Sequence, residues 1–315
     1  MNISICITVL NEEKSIGSLL DSLLIQTKKA DEIVIVDAGS EDRTPEIIKH
    51  YQKKDRSIKL LVEKGGIAHG RNAAIEIARY PIIAQIDAGC IAENDWLEKL
   101  VKPLEYDQVG VSAGFYTMTA NSSLQKAMSV YLGIPPERFD TVSFLPSARS
   151  VAFKKEVWEK IGGFNEKLAH GGEDTQFFYS CVKTGIRTAR VGEAKVIWEE
   201  IGNLTFKKFL GKLFNYSKGD AKAGIWYHPV QAVASHNIKI SLIFLRYFLG
   251  LFLLIYSYFM PVLLHLLVIL VLLYLFYSVW KWCDVISNWR GRLWLPVIQI
   301  SSDIAVMAGF VSGLC

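Results

Sequence analysis

From Tyr247 to Trp280 the chain reads YFLGLFLLIYSYFMPVLLHLLVILVLLYLFYSVW, without an Asp, Glu, Lys or Arg. One bilayer crossing takes roughly 20 apolar residues, and this run exceeds that. A buried core helix of such length would need protein on every side, so the stretch reads as membrane-embedded. Two crossings need about 40 residues, which Ile238 to Trp280 supplies if Arg246 snorkels or faces the bundle. With Pro261 at the midpoint, the pattern predicts a transmembrane helical hairpin with limbs Ile238 to Phe259 and Pro261 to Trp280. One long kinked helix and a re-entrant hairpin are the weaker alternatives.

The hydrophobic fraction of 51% and mean hydropathy of +0.24 are high for a soluble protein, and this stretch concentrates the excess. Behind it, KWCDVISNWRGR sets Lys281, Arg290 and Arg292 among tryptophans, as at a cytoplasmic headgroup layer, which predicts that both ends of the hairpin lie inside. The closing LWLPVIQISSDIAVMAGFVSGLC is apolar but carries Asp303, and reads as a third span or a helix in the interface. Three parts are therefore expected: a globular domain over 1–237 ending in an amphipathic helix, the hairpin over 238–280, and a basic Trp-rich loop with an interfacial or third membrane segment over 281–315.

The net charge of +4 is uneven. Lys239, Arg246, Lys281, Arg290 and Arg292 against Asp284 and Asp303 carry most of it, leaving the first 237 residues near neutral. A nucleic-acid binder would present a strongly basic face, so that class is excluded. Cys6, Cys90, Cys181, Cys283 and Cys315 form no CxxC pair, which suggests neither a disulfide framework nor a zinc site. The opening MNISICITVLNEEK has no signal-peptide pattern, and the folded domain is expected to begin there, in the cytoplasm.

In that domain SICITVL, EIVIVD, IKLLVE, IIAQID and VGVSAGFY alternate with helical stretches such as SIGSLLDSLLIQ and TPEIIKHYQ, the latter with Thr44 as N-cap and Pro45 at its first position. Strand alternating with helix predicts an α/β fold with a mainly parallel sheet, whose ligands collect beyond the carboxyl ends of the strands. There stand Asn11 and Glu12, then Asp37, then GGIAHGRN, then Asp87. A single acid after a strand is more often a helix cap, but four polar ends on one edge suggest a site. GGIAHGRN has the GxxxxG spacing of a phosphate loop, yet Arg71 and Asn72 stand where Lys and Ser/Thr belong, and no GxGxxG follows the first strand. What remains is a loosened turn delivering Arg71, whose fork suits a diphosphate.

ITVLNEEKSIGSLLDSLL, EIVIVDAGSEDRT, GRNAAIEIA, IAQIDAGC and GGFNEKLAHGGEDTQF, in this order, resemble the family 2 glycosyltransferases of the GT-A fold, over roughly residues 3 to 200. The resemblance implies a GT-A type mainly parallel sheet flanked by helices, and a nucleotide-sugar donor. Thr8, Asn11, Glu12 and Asp37 would hold the nucleoside, with Asp37 accepting from the base. Arg71, with Asn72 beside it, would face the diphosphate. Asp87 would take the first position of the DxD motif, on the ribose and a divalent metal, Mg2+ or Mn2+. Gly89 departs from the pattern at the third position and cannot ligate. One carboxylate with phosphates and water can still hold a hard ion, with His170 or His228 as candidates to complete its shell.

Glu173 and Asp174 open a helical run that stops at Gly185. The resemblance makes them the catalytic pair, with Asp174 as base, although Asp174 alone also reads as a first-turn acid. Ser147 and Arg149 fall where the family lines the acceptor side. The QxxRW motif of processive members is absent, favouring single addition. LTFKKFLGKLFNYSK, with Lys207, Lys208, Lys212 and Lys218, reads as an amphipathic helix on a membrane surface or on the domain itself. The expectation is a membrane-anchored, cytoplasm-facing inverting enzyme moving one sugar from a nucleotide donor, UDP-linked by preference, to an acceptor such as a lipid-linked saccharide. The alternatives are a polyprenyl-phosphate glycosyltransferase and a non-catalytic sugar-nucleotide-binding scaffold.

Overall fold

The computed structural model describes residues 1–168, 171–226 and 236–315. His170 and His228 lie outside the described residues. In chain order come β1 (Ile3–Val9), α1 (Ile16–Leu24), β2 (Glu32–Asp37), α2 (Thr44–Lys54), β3 (Ile58–Val62), α3 (Ile67–Ile77), β4 (Ile82–Gln85) and β5 (Cys90–Ala92). Then follow α4 (Trp96–Val101), β6 (Val109–Met118), α5 (Ser123–Leu132), β7 (Val151–Lys154), α6 (Lys155–Ile161), α7 (Glu173–Lys183) and β8 (Arg187–Trp198). The chain ends in four helices, α8 (Phe206–Ala223), α9 (His236–Tyr256), α10 (Val262–Trp280) and α11 (Trp289–Leu314).

These elements form two compact units. Met1–Thr119 with Phe139–Glu200 make the first, and Ala120–Arg138 with the described residues from Ile201 onward belong to the second. The chain thus passes between units more than once, rather than changing character only at residue 237.

The first unit is built on an eight-stranded sheet in the order β3-β2-β1-β4-β7-β6-β8-β5. β3, β2, β1 and β4 pair in parallel, whereas β7 runs antiparallel to β4 and β6, and β5 antiparallel to β8. The five strands read from the sequence are β1, β2, β3, β4 and β6. Strands β1 and β2 are apolar and buried on both faces, as parallel strands sandwiched by helices must be. At their amino edge the buried Glu32 is fully used: it accepts from Ser4 at 2.7 Å, Lys59 at 2.5 Å and Arg79 Nε at 3.1 Å. Burial pushes this carboxyl up, but the bonds from Lys59, Ser4 and Arg79 prevail and hold it at about 2.

Two local details differ from the sequence reading. Helix α2 starts at Thr44 with Arg43 in the cap position. The Thr44 hydroxyl is taken instead by the loops, accepting from Glu12 N at 2.8 Å and donating to Asp42. Strand β4 stops at Gln85, so Asp87 stands in the turn beyond it.

In the second unit α9 and α10 form the expected helical pair, with Pro261 capping α10. Helix α11 runs unbroken through Pro296 for 26 residues. All three are long and apolar enough to cross a membrane.

Candidate active site

The parallel half of the sheet carries its unsatisfied groups on the carboxyl edge. Asp37, fully buried, closes β2; its Oδ1 accepts from Gly39 N at 3.0 Å and Ser40 N at 2.8 Å, while Oδ2 has no hydrogen-bond partner among the described residues. Gln85, buried at the end of β4, has an Oε1 in the same condition. A buried acceptor left unpaired costs roughly 1–3 kcal/mol, so each marks a place where a ligand donor or water would be held.

The opening loop is stitched to its neighbour. Asn11, in the left-handed region at φ 56°, donates its N–H to Ser40 Oγ at 2.8 Å and accepts from Glu41 N at 2.9 Å. Glu12 caps its own turn by accepting from Ser15. These two residues therefore shape the rim through loop-to-loop bonds. Thr8 lies deeper, against α3, where Gly70 permits close approach: a Cβ there would stand 2.9 Å from Thr8 Cγ2.

Arg71 does not face outward. On α3 it is buried, and its two terminal nitrogens reach Glu173 and, at 3.0 Å, Asp87. Its guanidinium joins two acidic motifs that are far apart in sequence. Burial works against its charge, but Glu173, Asp87 and Asp174 hold the guanidinium protonated above its usual range. Asn72 is likewise spent elsewhere. Its Nδ2 donates to Phe164 O and to Glu166, both at 2.9 Å, and its Oδ1 accepts from Trp158 Nε1 at 3.0 Å and Phe164 N at 2.8 Å. It clamps the turn leading towards Glu173. His69 joins this clamp between Glu166, at 3.0 Å, and Glu63, at 2.7 Å, and both push its pKa up.

The two acids at the start of α7 have different surroundings. Glu173 is buried, bonded to Arg71 through Oε1, and its Oε2 has no partner among the described residues. Burial outweighs Arg71, and with repulsion from Asp174 and Asp87 the carboxyl is pushed up to about 7. Asp174 is half-buried; its Oδ1 accepts from Thr175 N at 2.7 Å, and its Oδ2 from Ala148 N at 3.4 Å. The Ser147–Arg149 turn is thus brought to Asp174. Arg149 bonds Ser147 Oγ at 3.2 Å and stacks its guanidinium over Trp198, 4.0 Å from the ring centre, with Tyr116 at 5.0 Å. A cleft lined by Thr8, Arg71, Gln85, Asp87 and Ala148 joins these parts.

Whether a divalent ion fits is decided by the donors. Among the described residues no three His, Cys, Asp or Glu side chains converge as a ligand set, and Asp87 already shares Oδ1 with Arg71. Position 89 is open, with nothing within 4 Å of where a Cβ would lie. These residues fit an ion held by Asp87 together with substrate phosphate oxygens and water, a common arrangement for Mg2+.

Comparison with known proteins agrees with this architecture. The family model "Glycosyl transferase family 2" matches residues 4–156, and "Glycosyl transferase family group 2" matches residues 107–280, more than half of the chain. The chain belongs to glycosyl transferase family group 2. Among curated relatives, the uncharacterized glycosyltransferase EpsJ of Bacillus subtilis is 25% identical over 64% of this chain and 62% of its own length. Glycosyltransferase AglE of Haloferax volcanii is 28% identical over 54% and 58%. The chain therefore spans about 60% of the length of these relatives. Among solved structures, the mannosyltransferase PcManGT of Pyrobaculum calidifontis, in complex with GDP-Man and Mn2+, matches 99% of this chain and 87% of its own at TM-score 0.70 and 17% identity. GalNAc-T7, with UDP, GalNAc and Mn2+, matches 72% and 48% at TM-score 0.54 and 15% identity. These likenesses establish the GT-A type fold.

Gln85, the Asn72 clamp and the aromatic cradle of Arg149 were not read from the sequence. Gln85 left a signal, a polar residue inside the apolar run IIAQI. The other two depend on pairings far apart in the chain, from Arg149 with Tyr116, 33 residues away, to Asn72 with Glu166, 94 away, and leave none.

Proposed function

We propose that this glycosyltransferase moves one sugar from a nucleotide-sugar to a hydroxyl of an acceptor presented at a membrane, with inversion at the anomeric carbon. The observation that carries the reading is the convergence of Asp87, Arg71, Glu173 and Asp174 beside the cleft, with Asp174 the half-buried acid of the α7 pair and Glu173 committed to Arg71. Asp37 Oδ2, a single unpaired acceptor, suits one ring N–H, as uracil presents, and favours a UDP-linked donor. An acceptor hydroxyl attacks the anomeric carbon, Asp174 takes the hydroxyl proton, and the bond to the nucleoside diphosphate breaks as the new C–O bond forms. Asp174 as the single base on the acceptor side accords with single displacement. Ser147 and Arg149, beside Asp174, stand on the acceptor side. When bound through Asp87, a divalent ion would supply charge neutralisation for the leaving diphosphate.

Three apolar helices long enough to cross a membrane support a membrane-attached enzyme, with the first unit on the cytoplasmic side and a lipid-linked saccharide as acceptor. Release of nucleoside diphosphate by the purified full chain, with extracted membrane lipids as acceptor, tests the reading. Asp174→Asn is expected to lower turnover by about 10²–10⁴-fold while UDP still raises the Tm. Equal release by both proteins would remove Asp174 as base.

A further inference from the structure

The second unit contains a constraint that length and hydropathy do not reveal. Helix α8 carries Lys207, Lys208, Lys212, Lys218 and Lys222 on one side and buries Phe209, Leu213 and Ala221 on the other, so it lies outside the hydrocarbon. Helix α11 is packed along α8, backbone against backbone. A side chain at Gly309 would collide with the Phe214 carbonyl, and one at Gly313 with the Lys218 carbonyl. Ser217 donates to Val306 O at 2.7 Å. Gly309 against Phe214 and Gly313 against Lys218 advance by one turn on both helices, and Ser217 reaches back to Val306, so α11 is packed closely on α8 over Val306–Gly313. Where α8 lies, α11 lies.

Helix α11 in turn fixes the depth of the hairpin. Its Asp303 is buried and accepts from Arg246 of α9 at 2.6 Å, from Tyr247 at 3.1 Å, from Tyr274 of α10, and from Gln299 at 3.0 Å. Below this cluster α9 is held by the same surface layer: Asn237 donates to Asp220 O at 2.9 Å, and Ile240 and Phe244 pack with Ala221, Val306 and Phe310. Beyond it only Phe248–Tyr256 and Val262–Leu273 remain. At roughly 1.5 Å per residue these limbs extend about 14 and about 18 Å. The hydrocarbon core is about 30 Å thick, so they reach its middle and not its far side. Apart from the buried Leu253 they are largely exposed, and they are uncharged up to the tip, where Tyr258 is 87% exposed. Along α11, Leu293, Val297, Ile300, Ile304 and Val311 are exposed at helical spacing, an apolar row fit to lie in the leaflet boundary.

We propose that all three apolar helices occupy one leaflet: α11 lies in its plane beside α8, and the α9–α10 hairpin enters the same leaflet and turns back at Ser257–Pro261 near mid-bilayer. This rests on the membrane reading above and changes its form, because neither the hairpin nor α11 crosses. The Arg246–Asp303 cluster then sits at headgroup depth, where its charge meets water and phosphate instead of hydrocarbon. Both chain positions 281 and 315 fall on the side of the lysines.

Site-directed thiol labelling of the full chain in cells decides it. The exposed native thiols are Cys283 and Cys315. With Cys283→Ser and Cys315→Ser, the added Tyr258→Cys thiol is expected to resist maleimides in the intact membrane, impermeant from outside and permeant alike, and to react once detergent opens the membrane. A fluorophore attached there is expected to be quenched most by lipids labelled near the acyl-chain ends. With Cys283→Ser alone, native Cys315 is expected to react with the impermeant reagent only after the membrane is opened. Labelling at 258 from outside overturns the hairpin's turn-back, and labelling of Cys315 from outside overturns the in-plane α11. Release of the chain by a carbonate wash overturns the membrane reading itself, a result distinct from either labelling outcome.

Discussion

Two arginines on apolar helices each meet a buried carboxylate, and they are handled in opposite ways. Arg71 has a side chain only 5% exposed and is answered by two acids, Glu173 and Asp87, with Asp174 close by. Arg246 is 40% exposed, is answered by Asp303 alone, and lays its guanidinium over the Tyr274 ring at 4.2 Å. The first cluster holds more acid than base inside protein, so the surplus falls on Glu173. In the second, the buried member is the acid, which has three further donors, and the cation keeps an open side. An enclosed ion pair needs its charges matched within the protein, whereas a boundary pair can leave part of that to its surroundings.

Removing each cation separates the two cases. Arg71→Met leaves Glu173 buried beside two other acids, and breaking a buried pair from one side costs roughly 3–5 kcal/mol. Arg246→Met leaves Asp303 with Tyr247, Tyr274 and Gln299, and the expected cost is nearer 1–3 kcal/mol. Thermal unfolding of the full chain in one detergent should show the larger fall in Tm for Arg71→Met. The reverse order would mean that Arg246, not Arg71, is the enclosed ion.

The surplus acid predicts an unusual pH slope. Glu173 is raised by burial from 4.5 to about 7 in the folded chain. Between those values the folded state keeps a proton that the unfolded state has lost, so this group's contribution to stability is present below about 4.5 and is lost as pH rises through 7. Ordinary paired carboxylates behave in the opposite sense, as Glu32 at about 2 does. The Tm of Glu173→Gln minus that of wild type should therefore climb from pH 4.5 to 7. A falling difference would show Glu173 ionised throughout by Arg71.

How much of this was legible follows from how far apart the partners lie. Strands β1, β2, β3, β4 and β6 announce themselves as short β-branched runs, and Asp37 and Asp87 are visible because each ends such a run. The acidic pair shows as the start of α7, and the lysines of α8 show at helical spacing. Arg71 is legible as a cation near the strand edge, but its bond to Glu173 joins residues 102 apart, and nothing local announces that partner. The bonds of Asn72 to Phe164 and Glu166 span 92 and 94 residues and are equally invisible locally. Short β5 and β7 have too few residues for a periodicity, and their antiparallel pairing is decided by the sheet already in place. Arg246 and Asp303 each stood out as a charge in an apolar stretch, but the bond that joins them crosses 57 residues.

The smallest expected change in stability comes from adding an acid to the first cluster. Gly89 is not in the left-handed region, and a Cβ there meets nothing within 4 Å, so Gly89→Asp should fold with stability within about 0.5 kcal/mol of wild type. The new carboxylate would stand two residues from Asp87, whose Oδ1 and Glu173 already occupy the two terminal nitrogens of Arg71. If Asp87 shares a divalent ion with the donor diphosphate, a second hard oxygen ligand should tighten that ion. The Mg2+ or Mn2+ concentration giving half of the UDP-dependent rise in Tm should then fall on the order of tenfold. This readout does not depend on turnover. An unchanged midpoint would detach Asp87 from any metal and leave it solely as a partner of Arg71, making the first cluster as purely structural as an ion pair can be.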